Sequence, residues 1–440
     1  MTVSKLAIDV LPALSGIPAE EWDRLAHGPK GPESLASSLP GAISAQSRRG
    51  GLIDESSREN DESTSEEDDS RCEPKDSSSE EDEVNPFISH AFLSSLEDSH
   101  SVGGRTGWTP LHLVARDASG TPVGALPAYA KSHSRGEYVF DHAFADAYAR
   151  AGGDYYPKLQ VSVPFTPATG RRLLVPAGND ADSIRAGLLA GLDQLRDRLG
   201  ASSTHATFLT HQDRDSFLRH GFLERNDQQF HFDAGPYRDF ADFLDALASR
   251  KRKGLKRERR DALANDITVE WLTGSDLTEA HWDAFFAFYI DTGSRKWGSP
   301  YLTRSFFSLI GARMPEKILL ILAKRNGRYI AGALNFIGKN TLYGRNWGAI
   351  EHHPFLHFEL CYYQAIDFAL KHRLSRVEAG AQGEHKLARG YAPVRTISAH
   401  SFADPAFQAA VARYLARERL HVGEAQIELE RMTPFKRQLS

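Results

Sequence analysis

Apolar and polar positions alternate over residues 111–116, in the first third of the chain. Residues 117–120 are of turn-forming types, and residues 123–130 follow as a second, largely apolar strand-like run. Alternation over about four to eight residues indicates a half-buried strand, and a short polar turn between two such runs indicates a hairpin. We therefore predict a β-hairpin over residues 111–130.

The same pattern occurs a second time. Residues 114–116 and 124–126 match residues 322–324 and 332–334, which lie 208 positions later at the same spacing. After the first copy come strand-like sequence at 159–163 and 172–175 and a helix at 182–199. After the second copy come strand-like sequence at 340–347, a helix at 356–373 and a strand at 376–378. Two related lobes are the simplest interpretation. We predict an α+β fold in which two mixed sheets are flanked by helices.

A basic segment lies between the two predicted lobes. Phe240, Phe243, Leu244 and Leu247 recur at helical spacing and predict a helix within residues 237–263. The helix runs into residues 250–260, which contain eight Lys or Arg and one Glu. Such a run is either a solvated helix face or an anchor for a polyanion, such as cofactor phosphates or RNA. If the segment is such an anchor, the residues expected to bind the polyanionic part of a donor substrate are Lys251, Arg252 and Lys256.

Charge is distributed unevenly along the chain. The net charge is −5, but residues 54–83 carry fifteen acidic and three basic residues, a balance of −12, which leaves +7 on the rest. Residues 28–84 cannot bury enough apolar surface to offset their ordering entropy, so we predict a disordered acidic insert. The predicted domains are an N-terminal segment of the first lobe (1–27), the insert (28–84), the first lobe (85–236), the basic inter-lobe helix (237–263) and the second lobe with a C-terminal helix (264–440).

Composition argues against several protein classes. The two cysteines, Cys72 and Cys361, cannot form a disulfide framework and fit a reducing compartment. No stretch approaches the roughly 18 apolar residues of a membrane span. The first 14 residues lack a continuous apolar signal segment and are not Arg-rich like a transit peptide. We expect a cytoplasmic protein without a membrane span.

The first segment with candidate chemistry covers residues 138–164. It contains Asp141, His142, Tyr156 and Lys158, two adjacent glycines and no long apolar run. We predict a loop over the sheet of the first lobe. Loops that are dense in Tyr, His and Asp bind ligands more often than they pack.

The second segment, residues 335–363, contains Asn335, Arg345, Trp347, His357 and Glu359. On a helix, His357 and Glu359 point to different faces, so only one of them can be central to a given cleft. The additional histidines at 352 and 353 suggest a metal site. Neither His-Glu-x-x-His nor Cys-x-x-Cys spacing occurs, however, and we expect no metal.

The third segment, residues 378–390, is a short strand followed by a glycine-rich turn and a dense set of polar groups: Gln382, Glu384, His385, Lys386 and Arg389. Glycine permits close approach to a ligand, and adjacent Glu and His can supply a general base. The alternative is a capped helix start with surface charges. Motifs for phosphate-binding loops, dinucleotide binding and hydrolase nucleophile elbows are absent from the sequence.

Several of these segments resemble a bacterial family of N-acyltransferases labelled FemAB-like, or "peptidoglycan biosynthesis/recognition". The resemblance covers about residues 85–436. It is carried by residues 140–148, 155–160 (Tyr-Tyr-Pro-Lys-Leu-Gln), 163–167, 294–298, 343–348, 357–364 and 378–390.

The resemblance implies tandem GNAT-like lobes, in agreement with the repeated hairpin. Fem-type ligases carry a basic helix between their lobes. They also carry a Phe-Lys-x-x-Phe-Gly-like element, and residues 385–391 look like a variant of it. This resemblance implies that Lys386 contacts a ligand. The GNAT pyrophosphate signature is only half met at residues 345–350, and Arg345 is expected within a strand. Both departures argue against ordinary acetyl-CoA binding.

The leading hypothesis is transfer of an acyl or aminoacyl group from a thioester or ester donor to an amine. We expect Glu384 or His385 to accept the proton, with His357 and Glu359 next. Arg345, Lys386 and Arg389 are expected to contact a donor phosphate or a substrate carboxylate. The other expected substrate-binding residues are Asn335, Trp347, Gln382 and, on a facing wall from the first lobe, Asp141, His142, Tyr156 and Lys158.

No cofactor is expected to be tightly bound. Acyl-CoA, an acyl carrier or an aminoacyl-tRNA would be the donor substrate, and a small-molecule or peptide amine the acceptor. The alternative from another class is a non-catalytic GNAT-like binding module that recognises a glycan or peptide. RNA binding through the basic helix is a third hypothesis.

Overall fold

The computed structural model describes residues 6–28, 85–296, 300–380 and 383–436, without the side chains of residues 294–296 and 384. Apart from Gly28, the predicted acidic insert lies outside the described residues, so its disorder stays a prediction.

The first lobe begins with β1 and ends with β8. Its elements are β1 (Ala7–Leu11), α1 (Ala19–His27), α2 (His90–Asp98), β2 (Trp108–Pro110), β3 (His112–Arg116), β4 (Pro122–Leu126), β5 (Ala128–Lys131), α3 (His142–Arg150), β6 (Lys158–Val161), α4 (Ala181–Leu199), β7 (Ser203–Ala206), α5 (His211–Arg219) and β8 (Leu223–Asp233).

Two helices then lead to the second lobe. The elements are α6 (Phe240–Ala246), α7 (Ser249–Ala262), β9 (Ile267–Leu272), α8 (Glu279–Lys296), α9 (Arg304–Arg313), β10 (Ile318–Arg325), β11 (Arg328–Ile337), β12 (Thr341–Ala349), α10 (Leu356–Phe358), a π-helical turn (Glu359–Tyr363), α11 (Gln364–Lys371), β13 (Arg376–Glu378), a 3-10 helix (Glu384–Arg389), β14 (Ala392–Phe402) and α12 (Pro405–Arg431).

Both lobes follow one order of elements. A strand and two helices are followed by a hairpin, a further strand, a helix and two last strands. The first lobe adds α3 before its further strand and α5 between its last two strands. In the first lobe each hairpin arm is divided in two, β2 with β3 and β4 with β5. The first strand pairs antiparallel with the hairpin in each lobe, and β6–β7 and β12–β13 are the corresponding parallel pairs. The predicted fold class of two GNAT-like lobes is confirmed.

The two lobes share most of their strands in one sheet. A small sheet has the order β1-β3-β4, and an eleven-stranded sheet has the order β2-β5-β6-β7-β14-β8-β13-β12-β11-β10-β9. β14, the last strand of the second lobe, pairs with β7 of the first, and β8, the last strand of the first lobe, pairs with β13 of the second. β8 and β14 also pair with each other. The lobes therefore exchange their last strands.

Aromatic packing joins the lobes as well. Phe87 and Phe92 of the first lobe pack edge-on against Phe336 of the second, with ring centroids 5.1 and 5.4 Å apart, and Phe92 also contacts Phe306. All four rings are almost completely buried. Because aromatic side chains bury large areas, this contact fixes α2 against α9 and the second lobe's sheet.

Two local predictions are wrong. Residues 172–175 form one isolated bridge, Leu174 with Ala125, and not a strand. The predicted helix within residues 237–263 is divided into α6 and α7. Leu247 pairs with Phe435 at the break, and this bridge takes its backbone out of helical geometry.

Candidate active site

The parallel strands β12 and β13 separate at one end and leave a fork between them. They pair from Thr341 with Arg376 to Tyr343 with Glu378, where β13 ends while β12 continues to Ala349. Beyond this point, β12 pairs only with β11 among the described strands. Its free edge therefore offers backbone N–H and C=O groups, and the open ends of parallel strands are frequent ligand sites.

A β-bulge places Arg345 at the fork. Pairing of β11 with β12 shifts so that Leu334 faces Asn346 and Asn335 faces Gly344, which leaves Arg345 as the extra residue. Its Nη2 donates to the carbonyl of Phe165, 2.7 Å away in the first lobe. Arg345 therefore links the lobes, within a strand as predicted. Asn335 is buried in the sheet, where its amide donates to the backbone carbonyls of Leu319 and Ala333.

The helix after the fork contains a π-helical turn that spaces His357 and Tyr362 over one pocket of aromatic rings. His357 lies 5.1 Å from Trp347 and 5.5 Å from Tyr362, centroid to centroid. Single π-helical turns widen a helix locally and occur often at functional sites. The structure thus brings together Trp347 and His357, two residues singled out by the sequence.

His385 and Lys386 complete this group. The Tyr362 hydroxyl and His385 Nε2 are joined by a 2.9 Å hydrogen bond, and the His357 and His385 rings are 6.5 Å apart. Lys386 is buried, and its Nζ donates to the carbonyl of Gly380 at 2.8 Å. We call Trp347, His357, Tyr362, His385 and Lys386 the fork cluster.

Burial sets the protonation of both basic groups. It lowers the pKa of His385, and the Arg389 and Lys386 charges lower it further, so the imidazole is neutral at pH 7. Burial also lowers the pKa of Lys386 to about 8, with partial compensation from the nearby Cys361. No carboxylate of a described side chain pairs with the Lys386 ammonium.

Arg389 anchors the basic helix to the cluster and is not free to bind an anion. Its Nη2 forms an ion pair with Glu258 of α7 at 2.8 Å, and its guanidinium stacks 3.5 Å from the Phe358 ring. The Tyr363 hydroxyl also donates to Glu258. Glu258 was not among the site residues predicted from the sequence, although it is the one acid beside the eight bases of residues 250–260.

Glu359 lies in a buried ion pair and does not reach the fork cluster. Its carboxylate accepts from Arg259 at 2.8 Å and from Gln364 at 2.7 Å, and its side chain has no exposed surface. Arg259 also pairs with Asp367. These contacts fix α7 on the π-helical turn, so the geometry favours a structural part for Glu359 instead of the proton transfer expected from the sequence.

Lys158 is the centre of a buried polar network in the first lobe. Its ammonium donates to Glu137 at 2.7 Å, to Ser134 at 3.0 Å and to Asp141. Tyr155 donates to Asp141 and contacts His205. Tyr156 joins the network through Ser134, 2.8 Å from its hydroxyl, and His205 contacts His400 of β14.

Burial and pairing set the charges of this network. Burial lowers the pKa of Lys158, but Glu137 and Asp141 outweigh it and raise the pKa overall. Burial alone would raise the pKa of Asp141, whereas Lys158 holds it well below the usual range. Burial raises the pKa of Glu137 to about 7. The charges of Lys158 and Asp141 are therefore mutually satisfied.

Asp141 and Lys158, expected on a facing wall of the first lobe, are both buried, and their part in substrate binding stays a prediction. The segment over residues 138–164 is not one loop, because α3 and β6 lie within it, and Lys158 is buried on β6. His142 is exposed and stacks on Phe140. Among the described residues, the hydrogen bonds and ion pairs of the network do not reach the fork cluster.

The three predicted donor-binding residues all lie on α7. Lys251 and Lys256 are exposed, while Arg252 pairs with Asp245 at 2.8 Å. Gln382 and the side chain of Glu384 lie outside the described residues, so their proposed parts stay predictions. In the described part of the chain, no group of three or more His, Cys, Asp or Glu side chains is placed to hold a metal, and no helix combines the length and apolarity of a membrane span.

Several solved structures are similar to the chain at low sequence identity. FemX has 12% identity and a TM-score of 0.45, and the match covers 70% of this chain and 90% of FemX. L-PGS from Bacillus licheniformis has 10% identity and a TM-score of 0.44, over 76% of this chain and 98% of that one. A tandem GNAT protein from the clavulanic acid biosynthesis pathway has 13% identity and a TM-score of 0.43, over 91% and 99%.

A search of curated proteins found no match. The model of one protein family, FemAB-like, matches residues 70–437, which is most of the 440 residues. The chain therefore belongs to the FemAB-like family, described as peptidoglycan biosynthesis/recognition.

Proposed function

We propose that the chain is an N-acyltransferase whose reaction takes place at the fork cluster. It transfers an acyl or aminoacyl group from a thioester or ester donor to an amine. Membership of the FemAB-like family supports an acyltransferase-type function. The observation that carries the proposal is the buried Lys386 ammonium, which contacts a backbone carbonyl but no carboxylate of the described side chains. A buried charge left in this state calls for an anionic or strongly polar ligand.

The neutral imidazole of His385 accepts the proton in this reaction. The amine nitrogen attacks the donor carbonyl carbon, a C–N bond forms and the carbonyl oxygen becomes an oxyanion. The amine then gives its proton to His385, which the Tyr362 hydroxyl holds in place at 2.9 Å. As the C–S or C–O bond to the donor breaks, the leaving group takes up a proton. A base whose pKa lies near or below the working pH suits this step.

Lys386 binds the negative charge of the donor or of the oxyanion. Arg345 and Arg389 were expected to share this task. Arg389 is already paired with Glu258, whereas Arg345 donates to the Phe165 carbonyl and, like Lys386, has no carboxylate partner among the described side chains. His357 is 6.5 Å from His385 and faces the same rings, so it is placed to contact the acceptor amine. Preorganised charges of this kind stabilise the transition state most when water is excluded.

The exposed face of α7 binds the polyanionic part of the donor. Glu258 and Arg259 turn toward the second lobe, while Lys251, Lys253 and Lys256 remain exposed beside the cluster's anchor. A face of this charge fits acyl-CoA, an acyl carrier or an aminoacyl-tRNA. The acceptor is a small-molecule or peptide amine.

Native mass spectrometry of the purified protein tests the proposal. The protein is presented with acyl-CoA, acyl carrier and aminoacyl-tRNA in turn, each with and without an amine. We expect one donor class to bind and to lose its acyl group only when the amine is present. Binding of a glycan or peptide without binding of any donor would instead support the non-catalytic module.

A further inference from the structure

A cavity that opens to solvent lies away from the fork cluster. It has a volume of about 720 Å³ and is lined by α5, the β8–β14 ribbon and α12. Volumes of about 300–1,000 Å³ are typical of small-molecule sites. None of the residues singled out by the sequence lines it, and the proposed reaction does not use it.

One wall of this cavity is basic. It contains the guanidinium groups of Arg214, Arg395 and Arg419 and the carboxylate of Glu224. Arg214 is neutralised by Glu224, 2.6 Å away, and by Asp215. Arg419 donates to the backbone carbonyl of Glu224 at 2.6 Å and pairs with no carboxylate of a described residue. Two positive charges, on Arg395 and Arg419, are therefore left uncompensated at the wall.

The cavity also has an apolar wall, which continues out of it. This wall is formed by side chains of α5, the turn before β8, and α12: Leu218, Phe222, Leu223, Ala412, Ala416 and Leu420. Leu420 is 68% exposed. Along α12, Ala416, Leu420, Gly423 and Ile427 follow each other at intervals of four, three and four residues and are all exposed. They make one apolar stripe that leads away from the cavity rim.

Asn226 of β8 adds one further polar residue to the lining. It is 8% exposed, and its Oδ1 has almost no accessible surface, so this oxygen does not contact a ligand in the cavity. The cavity thus combines an anion-attracting wall and an apolar track.

We propose that this cavity binds an anionic amphiphile, a molecule with a carboxylate or phosphate head and a single hydrocarbon chain. The head pairs with Arg395 and Arg419, since charge-assisted hydrogen bonds to guanidinium are the strongest available there. The chain lies on the apolar wall and follows the stripe along Leu420 and Ile427. Apolar surface that is exposed beside a cavity of this size marks a binding site more often than an accident of folding.

Calorimetric titration with dodecanoate below its micelle concentration tests this site. We expect saturable binding of one molecule per chain, and binding at least about tenfold weaker for acetate, which lacks the chain, and for dodecanol, which lacks the charge. Binding of dodecanol as tight as that of dodecanoate would overturn the proposal, as would the absence of saturable binding. The result does not depend on acyl transfer, because no residue of the fork cluster is involved.

Two single variants and a matched control locate the binding. Arg395 is exposed and has no partner among the described residues, so Arg395→Gln leaves the fold intact and is expected to weaken dodecanoate binding about tenfold. Leu420→Asn is expected to weaken binding through the loss of apolar contact. Arg417→Gln, an exposed arginine of α12 that does not line the cavity, is expected to change nothing.

Two alternative occupants are separated by further readings. If a second copy of the chain covers the stripe, sedimentation shows a dimer that Leu420→Asn dissociates, which would contradict the proposal. Binding to anionic vesicles without any binding of monomeric dodecanoate would show a surface contact and would contradict it as well. Equal dodecanoate affinity in the Arg395→Gln and Arg417→Gln variants would contradict the proposal that the basic wall binds the anionic head.

Discussion

A buried lysine is neutralised either by the protein or by something that the protein binds, and the buried Lys158 and Lys386 differ in this respect. Lys158 lies between Glu137 and Asp141, and these carboxylates raise its pKa. Lys386 contacts the carbonyl of Gly380, and burial lowers its pKa to about 8. The first arrangement supports the fold, whereas the second keeps a charge available in the fork.

The two lysines should respond in opposite ways to replacement by methionine. Lys158→Met leaves the buried carboxylate of Asp141 without its cation, while Glu137 keeps Lys131 at 3.7 Å, and should destabilise the protein by about 3–5 kcal/mol. Lys386→Met removes a buried charge and should stabilise it at pH 7 by on the order of 2 kcal/mol, reduced by the lost hydrogen bond to Gly380. Urea unfolding of both variants at pH 7 measures the difference. Equal destabilisation by both would contradict this account.

The effect of Lys386→Met should also depend on pH in a defined direction. The pKa of Lys386 is about 8 in the folded protein and near 10.5 in the unfolded chain. Between pH 8 and pH 10.5 the unfolded chain binds more protons than the folded protein. The free energy of unfolding of the wild type therefore rises with pH over this range, and this gain is lost as the pH falls back through 8. The stabilisation by Lys386→Met should therefore shrink from pH 8 to pH 10.5. A difference that stays constant over this range would mean that Lys386 has an ordinary pKa.

At the scale of elements, α7 has one side that holds it in place and another that faces solvent. Arg259 binds Glu359 and Asp367, and Glu258 binds Arg389 and Tyr363. Helical spacing predicted the helix but not which charged residues face inward, because the partners lie about a hundred residues away in sequence. The predicted basic helix therefore both anchors the site and presents cations to solvent.

The inward side of α7 should contribute far more stability than the outward side. Arg259→Gln leaves the fully buried Glu359 without its cation, and we expect a loss of about 3–5 kcal/mol. Arg260→Gln, at an exposed position with one local partner, should change stability by less than about 0.5 kcal/mol. Denaturant unfolding measures both. A small effect of Arg259→Gln would mean that this ion pair is not formed in solution.

The outward side should matter for donor binding instead. A variant with Lys251→Gln and Lys256→Gln should bind the donor more weakly with unchanged unfolding, and, if the donor is an aminoacyl-tRNA, the salt dependence should fall by about two charges. The matched control replaces Arg328 and Lys339 by Gln, two exposed cations of the second lobe that lie outside α7. Identical donor affinity in both double variants would mean that the exposed lysines of α7 do not bind the donor.

For the whole molecule, the exchange of β8 and β14 makes the lobes depend on each other. β7 has β14 as one neighbour, and β13 has β8, so each half of the sheet needs a strand from the other half of the chain. A fragment that ends at Leu263 should be unfolded alone by circular dichroism, as should one that begins at Ala264. Mixed together, the two should refold as a heterodimer. Cooperative unfolding of either fragment alone would contradict the exchange.

The repeated hairpin could be predicted from sequence because the signal is local. Leu322 pairs with Gly332 in one hairpin, and Val114 pairs with Ala125 in the other. In each hairpin the two strands and the turn are close together in sequence. The exchange of last strands could not, since the pattern of residues 392–402 shows a strand but not its neighbours. The tandem lobes were therefore predictable, while their shared sheet was not.

The candidate site was predicted only in part, because sequence shows which polar residues lie close together along the chain but not which partners the fold brings to them. Trp347, His357, His385 and Lys386 lie in two short segments that were both singled out, and the structure brings them together. Asp141 and Lys158 have equally suggestive neighbours in sequence, but their partners bury them in the first lobe. Residue type indicates the available chemistry, and only the fold decides which charges remain for a ligand.

Turnover of the His385→Ala variant tests the central claim most directly. The rate of amide formation is measured with the donor identified by mass spectrometry, for wild type, His385→Ala, Glu384→Gln and the control His352→Ala, an exposed histidine outside the fork cluster. The account predicts a loss of about 10²–10⁴-fold in His385→Ala with donor binding retained, and no loss in His352→Ala. Wild-type rates in both His385→Ala and Glu384→Gln would contradict a reaction at the fork cluster.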